Sequence, residues 1–311
     1  MNFDENNSLP PEFDPSEPSR EPSQPDQSIL SYEAQQPVES AYGTASPPEF
    51  LAPQAPLIPE DLRVPWGWTD LLLLLLLWIG GTVVLTLFLG VIFQSRGVSW
   101  SQLRQPGVEQ GIFMVVDQVA ISFLILAYLA LEVRLGFNLP FWRTLGWRPL
   151  ELGKTPRGIA YLGLICCGFA LSILVQLGSV TVGTRAKLPI ETFFQDRRTA
   201  LLLMLMSVLL APLFEETIFR GYIYPVVARS FGVTAGIIAT GTLFGLLHAE
   251  QLWGGWGQIG LLVVVGIIFT WARAVTKTVV ASFLLHLSYN SFLFFAFLVT
   301  SDGLRSLPSG R

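Results

Sequence analysis

Beyond residue 70, polar positions become sparse and apolar residues follow one another in long uninterrupted runs. These runs fall at roughly 71–93, 112–131, 158–182, 199–217, 233–249, 257–275 and 278–299. Each approaches the ~20 residues that an α-helix needs to cross about 30 Å of hydrocarbon. The fourth and fifth are shorter or more polar, and packing against neighbouring helices would offset that. Continuous runs, rather than alternating ones, argue against a membrane β-barrel. The pattern predicts an all-α fold, a polytopic membrane helical bundle of about seven transmembrane helices, with eight as the alternative count. Arg273 and Lys277 bracket a very tight turn between the last two.

The chain before these runs is of another kind. Residues 1–60 hold twelve prolines and eleven acidic residues against one basic residue, Arg20. Scattered aromatics such as Phe13 and Tyr32 have no periodic apolar partners. Such a segment buries too little surface to offset the entropy of ordering it. We therefore expect a disordered, acidic, Pro-rich tail over 1–65 and a membrane-embedded helical domain over 66–311. Trp66 and Trp68 would mark the arrival at the headgroup level, where Trp is favoured.

Composition agrees with this division. Only 14% of residues are charged and 51% are hydrophobic, and the mean hydropathy is +0.52. The overall charge of -4 conceals a net of +6 over residues 61–311, which suits a domain among anionic headgroups and makes membrane lipid an expected partner. No Lys/Arg cluster with interleaved aromatics points to nucleic acid. Residues 1–60 lack the pattern of a signal peptide and are too acidic for an organellar transit peptide, so a prokaryotic plasma (inner) membrane is expected. Arg134, Arg143, Arg148, Lys154 and Arg157 in the 132–157 loop suit an inside N-terminus. Arg185, Lys187, Arg197 and Arg198 in the 183–198 loop argue the other way.

Ionisable groups inside apolar runs are costly and by default mark function. The chain has two histidines, His248 and His286, and both lie in such runs. A third run carries Glu215 and Glu216. Glu216 and Arg220 are four residues apart on one helix face and can pair. Glu215 is then left to face a cavity, where a carboxylate suits a general base. Pro212, one turn earlier, can kink that helix. Phe244 and His248 share a face, beside a strip of small residues, Gly241 and Gly245, that permits close helix approach. His286 and Asn290 also share a face, and an imidazole with an amide can polarise a carbonyl. Plainer readings stand beside these: glutamates that hold Arg220, a packed histidine bonded to a carbonyl, an interhelical polar clamp. No HExxH, GxSxG or P-loop occurs. Cys166 and Cys167 are adjacent and read as packing residues.

Taken in order, Glu215-Glu216-x-x-x-Arg220, Phe244-x-x-x-His248 and His286-x-x-x-Asn290 resemble the three-motif pattern of the CPBP (CAAX protease and bacteriocin-processing, or Abi) family of intramembrane proteases. Gly221-Tyr222 after Arg220 also fits. The resemblance covers about residues 145–299. It implies an intramembrane endopeptidase acting on a membrane-associated protein or peptide. It further implies that Glu215 activates water together with His248, that His286 and Asn290 serve the oxyanion, and that Glu216, Arg220 and Phe244 support them.

Metal dependence stays open at this point. Glu215, His248 and His286 could instead form a His₂Glu zinc set with water as fourth ligand, so the cofactor is either none or zinc. The rival class is a non-enzymatic membrane protein, a proton-coupled transporter or a scaffold, using the same buried polar cluster. Oligomeric state is not legible.

Overall fold

The computed structural model describes residues 58–105, 107–182, 196–305 and 307. Residues 1–57 of the expected tail, and Arg185 and Lys187 of the 183–198 loop, lie outside the described residues. Apart from one isolated bridge between Leu152 and Thr155, the regular structure among the described residues is helical. Helix α1 spans Trp68–Ser95, α2 Trp100–Arg104, α3 Val108–Leu131, α4 Phe141–Thr144 and α5 Arg157–Val182. A rod follows, built of α6 (Arg197–Leu205), α7 (Ala211–Glu216) and α8 (Tyr224–Phe231), joined by π-helical turns. Then come α9 (Val233–Leu247), α10 (Trp256–Thr276) and α11 (Val279–Thr300).

Six of these units are long and apolar enough to cross a membrane: α1, α3 with its π turn to Gly136, α5, the Arg197–Phe231 rod, α10 and α11. Helix α1 exposes Leu72, Leu75, Leu76, Ile79, Val84 and Leu87, an apolar surface suited to lipid rather than water. The protein is an all-α, multi-pass integral membrane protein. The fifth run expected from sequence, 233–249, becomes α9, which has 15 residues and at 1.5 Å per residue is about 22 Å long, short of ~30 Å of hydrocarbon. Hydrogen bonds nonetheless fix its direction. Arg229, at the end of α8, donates to the carbonyls of Val64 and Trp66 just before α1. Val279, at the α10–α11 turn, donates to Gly146 O on the α3–α5 connection at 2.9 Å. The end of α8 and the end of α10 therefore share one face, so α9 runs towards the opposite one.

Prolines shape the rod. Ala211 N–H reaches back five residues to Met206 O, and the next residue, Pro212, has no N–H to give. The Ser207 carbonyl thus loses its helical donor, and the turn Met206–Leu210 opens into a π-helix. The pattern repeats where Tyr224 N–H bonds Phe219 O across the π turn Thr217–Ile223, with Pro225 following. Pro212, expected to kink the helix, follows a widened π turn, and the rod continues over 35 residues. π turns of this kind often occur at functional sites.

Close helix approach holds α9 to α10. A Cβ on Gly241 would lie 2.4 Å from Ile267 N, and one on Gly245 2.7 Å from Val263 Cα. The small-residue strip read from the sequence is the contact itself. Trp66 behaves differently from expectation. It is 0% exposed, stacks on Tyr222 at 4.8 Å with planes 12° apart, and donates its indole N–H to Tyr222 O at 3.0 Å. It is a packing residue, not a headgroup anchor, because its polar edge finds a buried carbonyl. Trp68 is the exposed one. Residues 58–65 of the expected tail are described. Glu60–Leu62 form a 3-10 turn, Leu62 is buried with Tyr224 and Ala228, and Asp61 pairs with Arg273 at 2.9 Å.

Candidate active site

Glu215 and Glu216 close α7, one at the edge of a wide turn and the other inside the protein. Glu216 is fully buried, and its Oε1 accepts from Arg220 at 3.0 Å and from His286 Nδ1 at 2.9 Å. The Glu216–Arg220 pair expected from spacing is therefore present. Arg220 is held on further sides: its Nε–H donates to Thr270 Oγ1 at 3.2 Å, another N–H donates to Gly266 O at 2.8 Å, and its guanidinium lies 4.5 Å from the Phe244 ring centroid. Further hydrogen bonds of this kind offset part of the cost of burying the guanidinium, while Glu216 Oε2 has no hydrogen-bond partner among the described residues.

Glu215 carries the site's accessible carboxylate, with its side chain 26% exposed. Its Oε1 lies 4.0 Å from His248 Nε2 and its Oε2 lies 3.8 Å from His286 Nε2. Both rings are oriented through their other nitrogen. His248 Nδ1 stands 2.8 Å from Phe244 O, and a carbonyl only accepts, so Nδ1 carries the proton. His286 Nδ1 faces a carboxylate oxygen already receiving Arg220, and it too must donate. In their neutral forms both imidazoles thus turn a lone pair on Nε2 towards Glu215. Phe244 packs among the rings, 4.8 Å from His248 and 5.7 Å from His286, edge-on to the latter. Phe269 lies against His286 at 4.9 Å.

Asn290, one turn beyond His286, does not join this group by a hydrogen bond among the described residues. Its amide donates to Ser207 O at 2.8 Å, the carbonyl that the Pro212 π turn releases. One amide hydrogen remains. The structure thus brings Glu215, Glu216, Arg220, Phe244, His248 and His286 into mutual contact and sets Asn290 beside them. Sequence reasoning missed Thr270, Gly266, Phe269 and Ser207. Thr270, a hydroxyl four residues after Gly266 inside an apolar run, was a visible signal; the Ser207 carbonyl had none.

The zinc alternative can be tested on the donors. Ligands at about 2.0–2.2 Å from one zinc in a tetrahedron lie about 3.4 Å apart. Glu215 stands 3.8 and 4.0 Å from the two Nε2 atoms, through a different oxygen in each case. Among the described residues no three His, Cys, Asp or Glu side chains are grouped so as to hold a metal ion. As placed, the set does not fit zinc, and no chemical step is derived through one. Cys166 and Cys167 are free and exposed.

The family model "Type II CAAX prenyl endopeptidase Rce1-like" matches residues 197–292, which include every candidate residue from Glu215 to Asn290. No curated protein and no solved structure matches the chain. The match and the buried Glu/His cluster agree: the chain contains a CAAX protease/Abi (Rce1-like, CPBP) family domain at residues 197–292, and is classed as a CAAX-protease-like intramembrane peptidase.

Proposed function

We propose that the protein is an endopeptidase that hydrolyses a peptide bond of a membrane-associated protein or peptide, with Glu215 and His248 activating the water. The observation that carries this reading is the facing of two imidazole Nε2 atoms onto the one exposed carboxylate, at 3.8 and 4.0 Å. These gaps exceed a direct hydrogen bond and suit a bridging water. The water gives one proton to Glu215 while a second hydrogen bond to His248 Nε2 aligns it. The resulting hydroxide adds to the scissile carbonyl carbon. Glu215, now protonated, gives its proton to the leaving nitrogen as the C–N bond breaks.

The oxyanion needs donors. Asn290 retains one amide hydrogen for it. His286 donates from Nε2 only when protonated, and Glu216 at its Nδ1 then stabilises the cation. Donors fixed before reaction act without reorganisation, and the packing of His286 between Glu216 and Phe269 provides that fixing. Glu216, Arg220 and Phe244 are positioning residues in this scheme.

The test is a cleavage assay on the full chain in lipid nanodiscs against a library of membrane-associated peptides, run beside Glu215→Gln. Cleavage that disappears in the variant, with the same unfolding temperature, supports the reading. Equal cleavage by both proteins would overturn the role of Glu215; none by either would favour the transporter or scaffold reading.

A further inference from the structure

A second polar constellation lies outside the candidate active site, on the membrane face where α1 begins and α10 turns into α11. There a cavity of about 290 Å³ is lined by Arg63, Arg143, Arg148, Arg273 and Lys277. Two acids, Glu60 and Asp61, also line it, leaving three positive charges in excess. Asp61 Oδ2 is already engaged by Arg273 at 2.9 Å, and Glu60 lies 3.5 Å from Arg148. The cations therefore keep valences that the described residues do not meet. Arg273 is only 1% exposed, yet its Nε–H has no hydrogen-bond acceptor among the described residues. The Arg148 Nε–H is buried and, among the described residues, without an acceptor as well. The Tyr224 ring, 5.6 Å from the Arg273 guanidinium, offers a π face but no lone pair in line with that N–H.

The backbone makes room for this arrangement. Gly146 takes a φ of +83°, and a Cβ there would come within 3.2 and 3.4 Å of Arg273 guanidinium nitrogens. A buried donor without an acceptor is costly, and two of them on one cationic cavity call for a shared oxyanion. Guanidinium forks match phosphate in charge and geometry. Basic pockets between membrane helices at the surface take up anionic headgroups.

We propose that this cavity binds the phosphate group of an anionic phospholipid. Bound there, the phosphate joins the segment before α1, the α3–α5 connection and the α10–α11 turn, and so braces the start of the helix that carries His286.

The experiment is native mass spectrometry of the full chain with phosphatidylglycerol or the phosphate-free monogalactosyl diacylglycerol added singly, and with phosphatidylglycerol and inorganic phosphate added together. We expect phosphatidylglycerol to be retained at least about tenfold better than the galactolipid. We also expect the combined Arg143→Gln, Arg148→Gln and Lys277→Gln variant to lose that preference, since each cation near the surface contributes roughly fivefold. These positions lie outside the candidate active site, and the variant's unfolding temperature without lipid checks its fold. Inorganic phosphate that displaces phosphatidylglycerol at equal concentration would overturn the lipid as source while keeping the phosphate site. Equal retention of both lipids, or a variant that retains phosphatidylglycerol as well as the parent, would overturn the proposal.

Discussion

His286 Nδ1 stands 2.9 Å from Glu216 Oε1, and that one contact decides which nitrogen of His286 faces Glu215. Glu216 is buried, Glu215 is not. The two adjacent glutamates should therefore fail in opposite ways. Glu215→Gln keeps the fold and loses cleavage by about 10²–10⁴-fold. Glu216→Gln leaves the buried Arg220 charge uncompensated, at a cost of about 3–5 kcal/mol. Thermal unfolding measured beside cleavage for both variants distinguishes them.

Asn290→Ala removes the group that caps the Ser207 carbonyl. A stability loss of about 1–3 kcal/mol follows from leaving that acceptor unmet. If the remaining amide hydrogen serves the oxyanion, kcat also falls by about 10²-fold or more with KM little changed. Steady-state kinetics on the folded fraction separate the two effects; an unaltered kcat would remove Asn290 from the chemistry.

Gly241→Ala puts a methyl where 2.4 Å separates the ideal Cβ position from Ile267 N. Helix α9 must shift away from α10, at a cost of about 1–3 kcal/mol, and it carries His248 with it. Both unfolding temperature and kcat should drop. The same change at Gly163, where nothing lies within 4 Å, should affect neither.

Excess chelator should leave the cleavage rate unchanged, because the spacing of Glu215, His248 and His286 does not match a zinc tetrahedron. Metal analysis of the same sample, before and after chelation, gives the check. Loss of activity on chelation, restored by zinc, would contradict it.

How legible this was depended on whether a contact is set by one helix or by several. Glu216–Arg220 and the Gly241–Gly245 strip follow from helical spacing alone, and both are present as read. Asn290 was read with His286 because the two are four residues apart, but its visible partner is a backbone carbonyl on another helix. That carbonyl is free only because Pro212 interrupts the hydrogen-bond ladder, and a sequence shows the proline without showing how the ladder rearranges. The fourth run, read as 199–217, is longer for a related reason: π turns carry the rod on to Phe231. Trp66 misled because its identity suggests a headgroup level, whereas a stacked Tyr222 and an available carbonyl made burial cheaper.

The double attachment of α11 has a mechanical consequence. His286 on Glu216 and Asn290 on Ser207 tie that helix to the rod at two successive turns, so it can neither roll nor slide without breaking one of them. His248, by contrast, is steadied by a carbonyl of its own helix at the very end of α9. One side of Glu215 is thus tied to the rod at two turns of α11, whereas on the other His248 is placed through its own helix and the close packing of α9 on α10.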